Sequence, residues 1–297
     1  VQEPRPSYRT GSNVAASASK STQSIAKWPK SLCRESQQIP FSNGAFTTPR
    51  KLMDIKQLEQ SISECLRVFY DRRLDCLKEL KLKSVLKKKN PYLYRALGVA
   101  KASEIVEQIL TAYISSSDET IFGNCFFEPI AILASGGKVA EAEGVDFTVE
   151  FKDRFLAVAV KSGPNWGNAD QHKRQSTNFE SLRKRLYKIK KQFDPLCGQA
   201  YGRQTSEPTS NAHYRRRSGQ AFWEEITGDA DFYLKLVRLM RDVPARNRPK
   251  YRSKWDQAVN RFTREFVDDF CNTNGSIDWE KLVAFSSSKK VTKGKSL

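Results

Sequence analysis

An aspartate and a lysine lie at the ends of the two segments most strongly predicted to be β-strands. Asp146 starts a segment of alternating β-branched or aromatic and polar residues, and Lys161 ends the continuous apolar segment 155–160. A two-residue turn at Asp153 and Arg154 would place Asp146 directly opposite Lys161, with both side chains on one face of the hairpin. A carboxylate can hold Mg²⁺ and an ammonium can stabilise developing charge, so the pair suits phosphodiester hydrolysis.

An ordinary cross-strand ion pair is the alternative interpretation of these two residues. Two features favour a catalytic role for this pair over a merely structural one. Lys161 ends an apolar strand, a position where a lysine that is merely solvated contributes little stability. It is followed by residues 162–168, a loop containing two glycines, one proline and two asparagines, whose backbone can approach a ligand closely.

The surrounding segments are predicted to be mostly helical. The apolar stripe that begins at Ile55 predicts a long first helix ending before Pro91. A capping signal at Ser117 predicts the start of a separate helix that carries Ile130. Further helices are predicted over residues 102–115, 169–193, 222–240 and 255–270, with a short strand at 196–201. We expect a disordered basic tail at 1–50, one folded domain at 51–285 and a frayed C-terminus at 286–297.

The composition narrows the class of partner. The chain carries 51 Lys and Arg against 33 Asp and Glu, a formal net charge of +18, which predicts binding to an acidic polymer such as nucleic acid. The six cysteines have no CxxC spacing and there are only two histidines, so no zinc site is expected. No apolar run reaches the roughly 20 residues that span a bilayer. We therefore expect no membrane partner. The scatter of the cysteines over a long chain indicates free thiols in a reducing cytoplasm, so we expect a cytoplasmic protein.

A basic segment follows the loop and is the predicted DNA-binding helix. Like charges at three- and four-residue steps destabilise an isolated helix, so contact with phosphates is favoured over a merely solvated face. The basic residues of this segment are Lys173, Arg174, Arg183, Lys184, Arg185, Lys188, Lys190 and Lys191. Arg215, Arg216 and Arg217 are predicted to lie in a loop that also reaches DNA.

Several segments resemble PmeII-type type II restriction endonucleases. The clearest is residues 158–168, with Lys161 followed by Ser-Gly-Pro-Asn-Trp-Gly-Asn. The other similar segments are residues 89–93, 115–124, 143–146 and 218–223. The resemblance covers roughly residues 50–280 and implies an α/β, restriction-endonuclease-like fold of the PD-(D/E)xK kind, a helix-rich protein whose mixed β-sheet is flanked by helices.

The resemblance also implies a magnesium-dependent catalytic centre. Asp146 corresponds to the metal-bridging aspartate and Lys161 to the lysine, while Ala159 stands where the family usually has Asp or Glu. The backbone carbonyl of Val160 remains a possible metal ligand. The first choice for the missing acid is Glu128, on the helix before the hairpin. The next candidates are Asp170 and Gln171, at the start of the basic helix.

The activity implied is site-specific cleavage of double-stranded DNA by a homodimer that works with a cognate DNA methyltransferase. The residues predicted to contact DNA are Ser162, Asn165, Trp166, Asn168, Gln171, Lys173, Arg174, Arg183 and Lys184. Trp166 has a packing role as its alternative. Two other functions stay open: a nuclease of the same fold in repair or transposition, and a catalytically inactive DNA-binding relative, which Ala159 would favour.

Overall fold

The computed structural model describes residues 54–187, 190–210 and 212–288. The predicted disordered tail at 1–50 lies outside the described residues. The helices are α1 (Ile55–Glu79), α2 (Leu82–Leu86), α3 (Pro91–Ala96), α4 (Ala102–Phe122), α5 (Glu128–Ser135), α6 (Ala169–Arg185), α7 (Gln220–Thr227), α8 (Phe232–Leu239), α9 (Val243–Phe270) and α10 (Trp279–Ser287), with a π-helical turn, Gly123–Phe127, between α4 and α5. The strands are β1 (Lys138–Val139), β2 (Phe147–Glu150), β3 (Arg154–Lys161), β4 (Gln192–Gln199) and β5 (Arg215–Ser218).

The strands form one mixed sheet in the order β1-β2-β3-β4-β5. Strands β1, β2 and β3 pair antiparallel, whereas β3, β4 and β5 pair parallel. Helix α6 provides the crossover that a parallel β3–β4 pair requires. This mixed sheet with flanking helices confirms the expected α/β, restriction-endonuclease-like architecture.

The apolar sequence of β3 follows from its place in the middle of the sheet. On one face Val158 packs in a core with residues of α1, α5 and α7. On the other face Ala157 and Ala159 pack with Phe179 of α6. A strand covered on both faces needs apolar side chains at successive positions. Lys161, at the strand end, is the point where this burial stops.

A second apolar core lies among the helices. Ile109 of α4 and Phe266 of α9 are fully buried in it. Beside this core Arg73 of α1 donates two hydrogen bonds to Asp118 of α4 and lies 3.5 Å from the ring centroid of Tyr251 in α9. These contacts fix α4, whose C-terminal end leads into the π-helical turn next to the sheet.

Two sequence predictions about the N-terminal helices are wrong. The expected break near Ser117 does not occur, because α4 is continuous through this position. Ser117 is buried and donates its hydroxyl to the carbonyl of Tyr113 inside the helix, so it does not cap a new one. The first helix ends at Glu79, earlier than expected, and Pro91 begins α3.

The C-terminal half also departs from the predictions. The basic helix ends at Arg185, not near residue 193, because residues 192–195 pair with β3 and extend β4. The arginines expected in a loop form β5. The helix predicted at 222–240 is divided at Gly228, which has a positive φ of 77°.

The last predicted helix begins at Val243, well before residue 255. Helix α10 runs to Ser287, inside the segment predicted to be frayed, and residues 289–297 lie outside the described part. None of the described helices has the length and apolar character needed to cross a membrane.

Candidate active site

Asp146 lies immediately before β2 and is tied to β3 by two hydrogen bonds. Its backbone N–H donates to the carbonyl of Val158 at 2.9 Å, and its carboxylate oxygen Oδ2 accepts the N–H of Val160 at 2.7 Å. The side chain is only 20 % exposed. The carboxylate therefore supplies the hydrogen-bond acceptor that the Val160 N–H would otherwise lack. This bond fixes the carboxylate at the open end of the hairpin.

The hairpin turn differs from the sequence prediction. The tight turn is made by Lys152 and Asp153, and Arg154 already belongs to β3, where its carbonyl accepts the N–H of Phe151 at 2.8 Å. The register is therefore shifted by two residues from the expected one, and Asp146 is not directly opposite Lys161. A two-residue shift leaves each β3 side chain on the face that was expected.

Lys161 nevertheless reaches the aspartate. Its Nζ lies 4.0 Å from Asp146 Oδ2 and 5.3 Å from the ring centroid of Trp166, and its side chain is 26 % exposed. The ammonium is thus held between a carboxylate and the face of an indole. The structure brings together the two residues that the sequence singled out, at a partly exposed edge where a substrate can approach.

The oxygen atoms at this edge that could bind a magnesium ion are those of the Asp146 carboxylate and the Val160 carbonyl. N–H and C=O of one strand residue point to the same side, so the Val160 carbonyl projects towards Asp146. The Val145 N–H, which would pair with that carbonyl in a longer ladder, donates to Ala142 O at 3.3 Å instead. Within the described ranges no three His, Cys, Asp or Glu side chains cluster in a way that could hold a metal. Ala159 has no ligating side chain to contribute to such a cluster.

Glu128, the first choice for the missing acid, is half-buried at the start of α5. The helical segment before it approaches the end of β3. Ser162 donates its hydroxyl to the carbonyl of Glu119 at 3.3 Å, and a Cβ on Gly123 would collide with Ser162 Oγ. The π-helical turn and α5 therefore pack along the strand end that carries Lys161. The role of Glu128 as a metal ligand remains a prediction.

Several of the predicted DNA-contacting residues lie in the loop that follows β3. Gly163 is buried against the ring of Tyr201. Asn165 is exposed. Asn168 and Gln171 form a reciprocal capping box at the N-terminus of α6, with bonds of 2.9 and 3.0 Å, so their side-chain oxygens bind backbone N–H groups. Their amide N–H groups stay available to contact DNA.

Asp170, in the first turn of α6, is exposed. Its position satisfies the preference of a helix N-terminus for negative charge.

Trp166 turns inwards rather than standing free for insertion into DNA. Its ring lies edge-on to that of His172, with centroids 4.5 Å apart, and its Nε1 is buried with no hydrogen-bond partner in the described part of the chain. The packing interpretation of Trp166 is the one that agrees with this geometry.

The basic residues of α6 form an exposed surface. Lys173, Arg183 and Lys184 are exposed, and Arg174 is exposed while paired with Glu143. Two of the lysines assigned to this helix lie beyond it. Lys190 is exposed, and Lys191 binds Glu150 at 2.8 Å and the carbonyl of Phe151 at 2.6 Å. Lys188 lies outside the described residues.

Sequence reasoning missed a group of side chains on the α6 face of the sheet. Ala159 pairs with Cys197, which in turn pairs with Arg216 across the parallel strands. His172 Nδ1 lies 2.9 Å from the hydroxyl of Tyr214, the residue before β5. No sequence signal indicated that these residues meet, because they come from separate elements.

The charge of Lys161, one of the candidate catalytic pair, acts on the thiol of Cys197 on this face of the sheet. Burial raises the pKa of the Cys197 thiol to about 12, against the lowering effect of Lys161 and Arg216. Burial, and then the charge of Arg216, lower the pKa of His172. Cys197 is therefore a neutral thiol and His172 is a neutral imidazole at pH 7.

The comparisons with known proteins agree with the geometry. The family model for type II restriction endonuclease EcoO109I matches residues 56–248 of this chain. That range contains the whole sheet, α6 and the Asp146–Lys161 pair. A search of curated proteins found no match.

Proposed function

The chain belongs to the family of the type II restriction endonuclease EcoO109I, and we propose that it hydrolyses phosphodiester bonds in both strands of DNA at a specific sequence, with Mg²⁺ bound at Asp146. Family membership makes it a restriction nuclease whose substrate is DNA. The magnesium dependence, the residues of the catalytic centre and the narrower PmeII-type resemblance are parts of the proposal.

The observation that carries the proposal is the 4.0 Å approach of Lys161 Nζ to Asp146 Oδ2 at the exposed end of β3. The competing interpretation is an ion pair that only stabilises the hairpin. A partly exposed pair contributes little to stability, commonly about 0–1 kcal/mol. The loop of residues 162–168, which leads from this edge into the basic helix α6, favours a substrate site.

The two side chains have different tasks in hydrolysis. The Asp146 carboxylate is held by the Val160 N–H, which donates to Oδ2 at 2.7 Å, and its second oxygen, Oδ1, would bind the ligand. The Lys161 ammonium orients the attacking water and stabilises the charge that develops on the phosphate. Its contact with the Trp166 ring, 5.3 Å away, restricts the ammonium to this position.

The metal-binding oxygens would be those of Asp146 and the Val160 carbonyl, with Glu128 as the candidate for a further carboxylate. Magnesium bound there would polarise the phosphate and lower the pKa of a coordinated water. One carboxylate and one carbonyl are consistent with Mg²⁺, which usually keeps several waters and also binds substrate phosphate.

The exposed basic face of α6 would hold the DNA backbone. Lys173, Arg174, Arg183 and Lys184 neutralise phosphates in this arrangement, and the released counterions make binding sensitive to salt. We propose that the protein acts as a homodimer, because a two-fold dimer reads a palindromic site most simply. A cognate DNA methyltransferase would protect the host genome.

Ala159 favours one alternative, a catalytically inactive DNA-binding relative. An alanine in the second acid position removes a metal ligand, and no cluster of three ligating side chains compensates within the described ranges. A nuclease of the same fold acting in repair or transposition differs in its products, since it would not cut at one fixed sequence.

The test is digestion of plasmid DNA by the purified protein with Mg²⁺ and with EDTA. We expect discrete fragments with Mg²⁺ only, and we expect Lys161→Ala to abolish cutting while gel retardation stays nearly unchanged. Lys152→Ala, an exposed lysine in the turn at the opposite end of the hairpin, is the matched control. A smear of products would favour a repair or transposition nuclease. Gel retardation without cutting would favour an inactive DNA-binding relative. Cutting by Lys161→Ala at the parental rate would refute the proposed catalytic centre.

A further inference from the structure

The three consecutive arginines of β5 have different surroundings. Arg215 binds Asp194 at 2.7 Å and also pairs with Glu225. Arg217 binds Glu207 at 2.6 Å. Successive strand residues point to opposite faces, so Arg216 projects from the other side of the sheet. It forms no ion pair with any carboxylate of the described residues.

The face from which Arg216 projects is that of the candidate catalytic edge. Cross-strand pairing runs from Ala159 through Cys197 to Arg216, and laterally paired residues share a face. Two strand spacings separate Ala159 from Arg216, which is roughly 10 Å. Lys161 lies two residues beyond Ala159 on the same strand and the same face. An arginine side chain starting from β5 can therefore extend towards the groups held at the end of β3.

The Arg216 guanidinium has no carboxylate partner among the described residues. The residue is half-buried, and its Nε is buried with no hydrogen-bond partner among the described residues. Burial raises the pKa of Tyr214, and the hydrogen bond and positive charge of Arg216 oppose that rise. Burial, and then the charge of Arg216, lower the pKa of His172, so Arg216 acts on two neutral groups. A partly desolvated cation without a counterion is costly, unless an anion binds there.

We propose that Arg216 binds a phosphate of the DNA strand held at Asp146 and Lys161, and so positions that strand for cleavage. The inference rests on the proposed nuclease function, because that function supplies the anion. A guanidinium presents a planar fork of N–H donors that matches two phosphate oxygens. The unpaired Nε–H and the alternation of β5 explain why this arginine, and not its two neighbours, remains available.

The first experiment tests anion binding without DNA and without cleavage. Arg216→Gln is compared with Arg264→Gln, an exposed arginine on α9 that removes the same charge from a distant helix. The imidazoles of the two histidines are labelled, and inorganic phosphate is titrated at constant ionic strength. We expect saturable shifts of the His172 signals in the parental protein and in Arg264→Gln. In Arg216→Gln these shifts should be lost, and the signals of His213 should stay in place in all three proteins.

The second experiment uses a duplex that carries a cleavage site mapped with the parental protein. With Ca²⁺ in place of Mg²⁺, Arg216→Gln should reduce the slope of log Kobs against log salt by about 0.9, the loss of one phosphate contact. With Mg²⁺, its single-turnover cleavage rate at saturating DNA should fall at least tenfold. Arg264→Gln should match the parental slope and rate.

The outcomes separate this inference from the proposed function. A parental protein that cuts no DNA would refute the nuclease proposal, while the phosphate titration would still decide whether Arg216 is an anion site. Parental phosphate shifts in Arg216→Gln, or a parental salt slope and rate on the mapped duplex, would overturn the inference. A lower unfolding temperature of Arg216→Gln with parental phosphate shifts would show a structural role and would overturn it equally.

Discussion

The Asp146 carboxylate accepts the backbone N–H of Val160 at 2.7 Å, so one oxygen of the candidate metal ligand is also a structural acceptor for β3. This dual role makes the choice of substitution informative. An asparagine retains an oxygen that can accept the N–H, whereas an alanine leaves a partly buried donor without a partner. The two variants should therefore separate folding from metal binding.

We expect Asp146→Asn to fold with near-parental stability and to lose both cleavage and the stabilisation by Mg²⁺. We expect Asp146→Ala to lose the same functions and, in addition, about 1–3 kcal/mol of unfolding free energy, the usual cost of an unsatisfied buried group. Urea denaturation with and without Mg²⁺ measures both effects. Asp153→Asn, in the exposed turn, is the control, and a Mg²⁺ response retained in Asp146→Asn would exclude this residue as the ligand.

The basic face of α6 should set the salt dependence of DNA binding. Replacing Lys173, Arg183 and Lys184 together by glutamine removes three exposed charges, and we expect the slope of log Kobs against log salt to fall by up to about 2.7. Unfolding in urea should change little, because these side chains are exposed. The same three-charge substitution at Arg248, Arg261 and Arg264 of α9, all exposed, is the control. An unchanged slope would remove α6 from the DNA interface.

The strand elements of the candidate site could be predicted because their signals are local. The apolar run ending at Lys161 has the composition of a strand covered on both faces, and Asp146 lies at the start of the adjacent alternating segment. The register was wrong by two residues because the sequence does not distinguish a turn at Lys152–Asp153 from one at Asp153–Arg154. Lys161 Nζ still approaches the Asp146 carboxylate, because a flexible lysine side chain tolerates that shift.

The features that sequence reasoning missed depend on tertiary contacts. Arg215 can occupy a strand because Asp194 and Glu225, from two other elements, neutralise it. Ser117 does not cap a helix, since its hydroxyl binds the carbonyl of Tyr113 one turn earlier in the continuous α4. Arg216 shares a sheet face with Ala159 and Lys161 only through the parallel pairing of β4 with β3 and of β5 with β4, which no local pattern encodes.

Glu128 gives the sharpest test of how the protein compensates for Ala159. We expect Glu128→Gln to reduce cleavage by at least about a hundredfold, on the scale of losing an orienting group or ligand of a catalytic metal. The Mg²⁺ concentration for half-maximal rate should rise as well, which a purely structural role would not produce. Glu119→Gln, an exposed acid on α4, is the control. Parental rate and Mg²⁺ requirement in Glu128→Gln would direct attention to Asp170 and Gln171.

The two histidines should give opposite contributions to the pH dependence of stability. Burial and Arg216 lower the pKa of His172, so below about pH 6.5 the unfolded chain takes up a proton that the folded protein resists, and stability falls as the pH decreases. The hydrogen bond to Glu180 raises the pKa of His213, so its contribution is fully present below the unfolded pKa and is lost as the pH rises through the folded pKa.

We therefore expect His172→Gln to be less sensitive to acid than the parental protein between pH 7 and pH 5, and His213→Gln to be more sensitive. Unfolding temperatures at half-unit steps of pH measure the difference, and each variant serves as the control for the other, since both remove one imidazole. Parallel curves for the two variants would show that the surroundings of His172, including the charge of Arg216, do not act on its protonation.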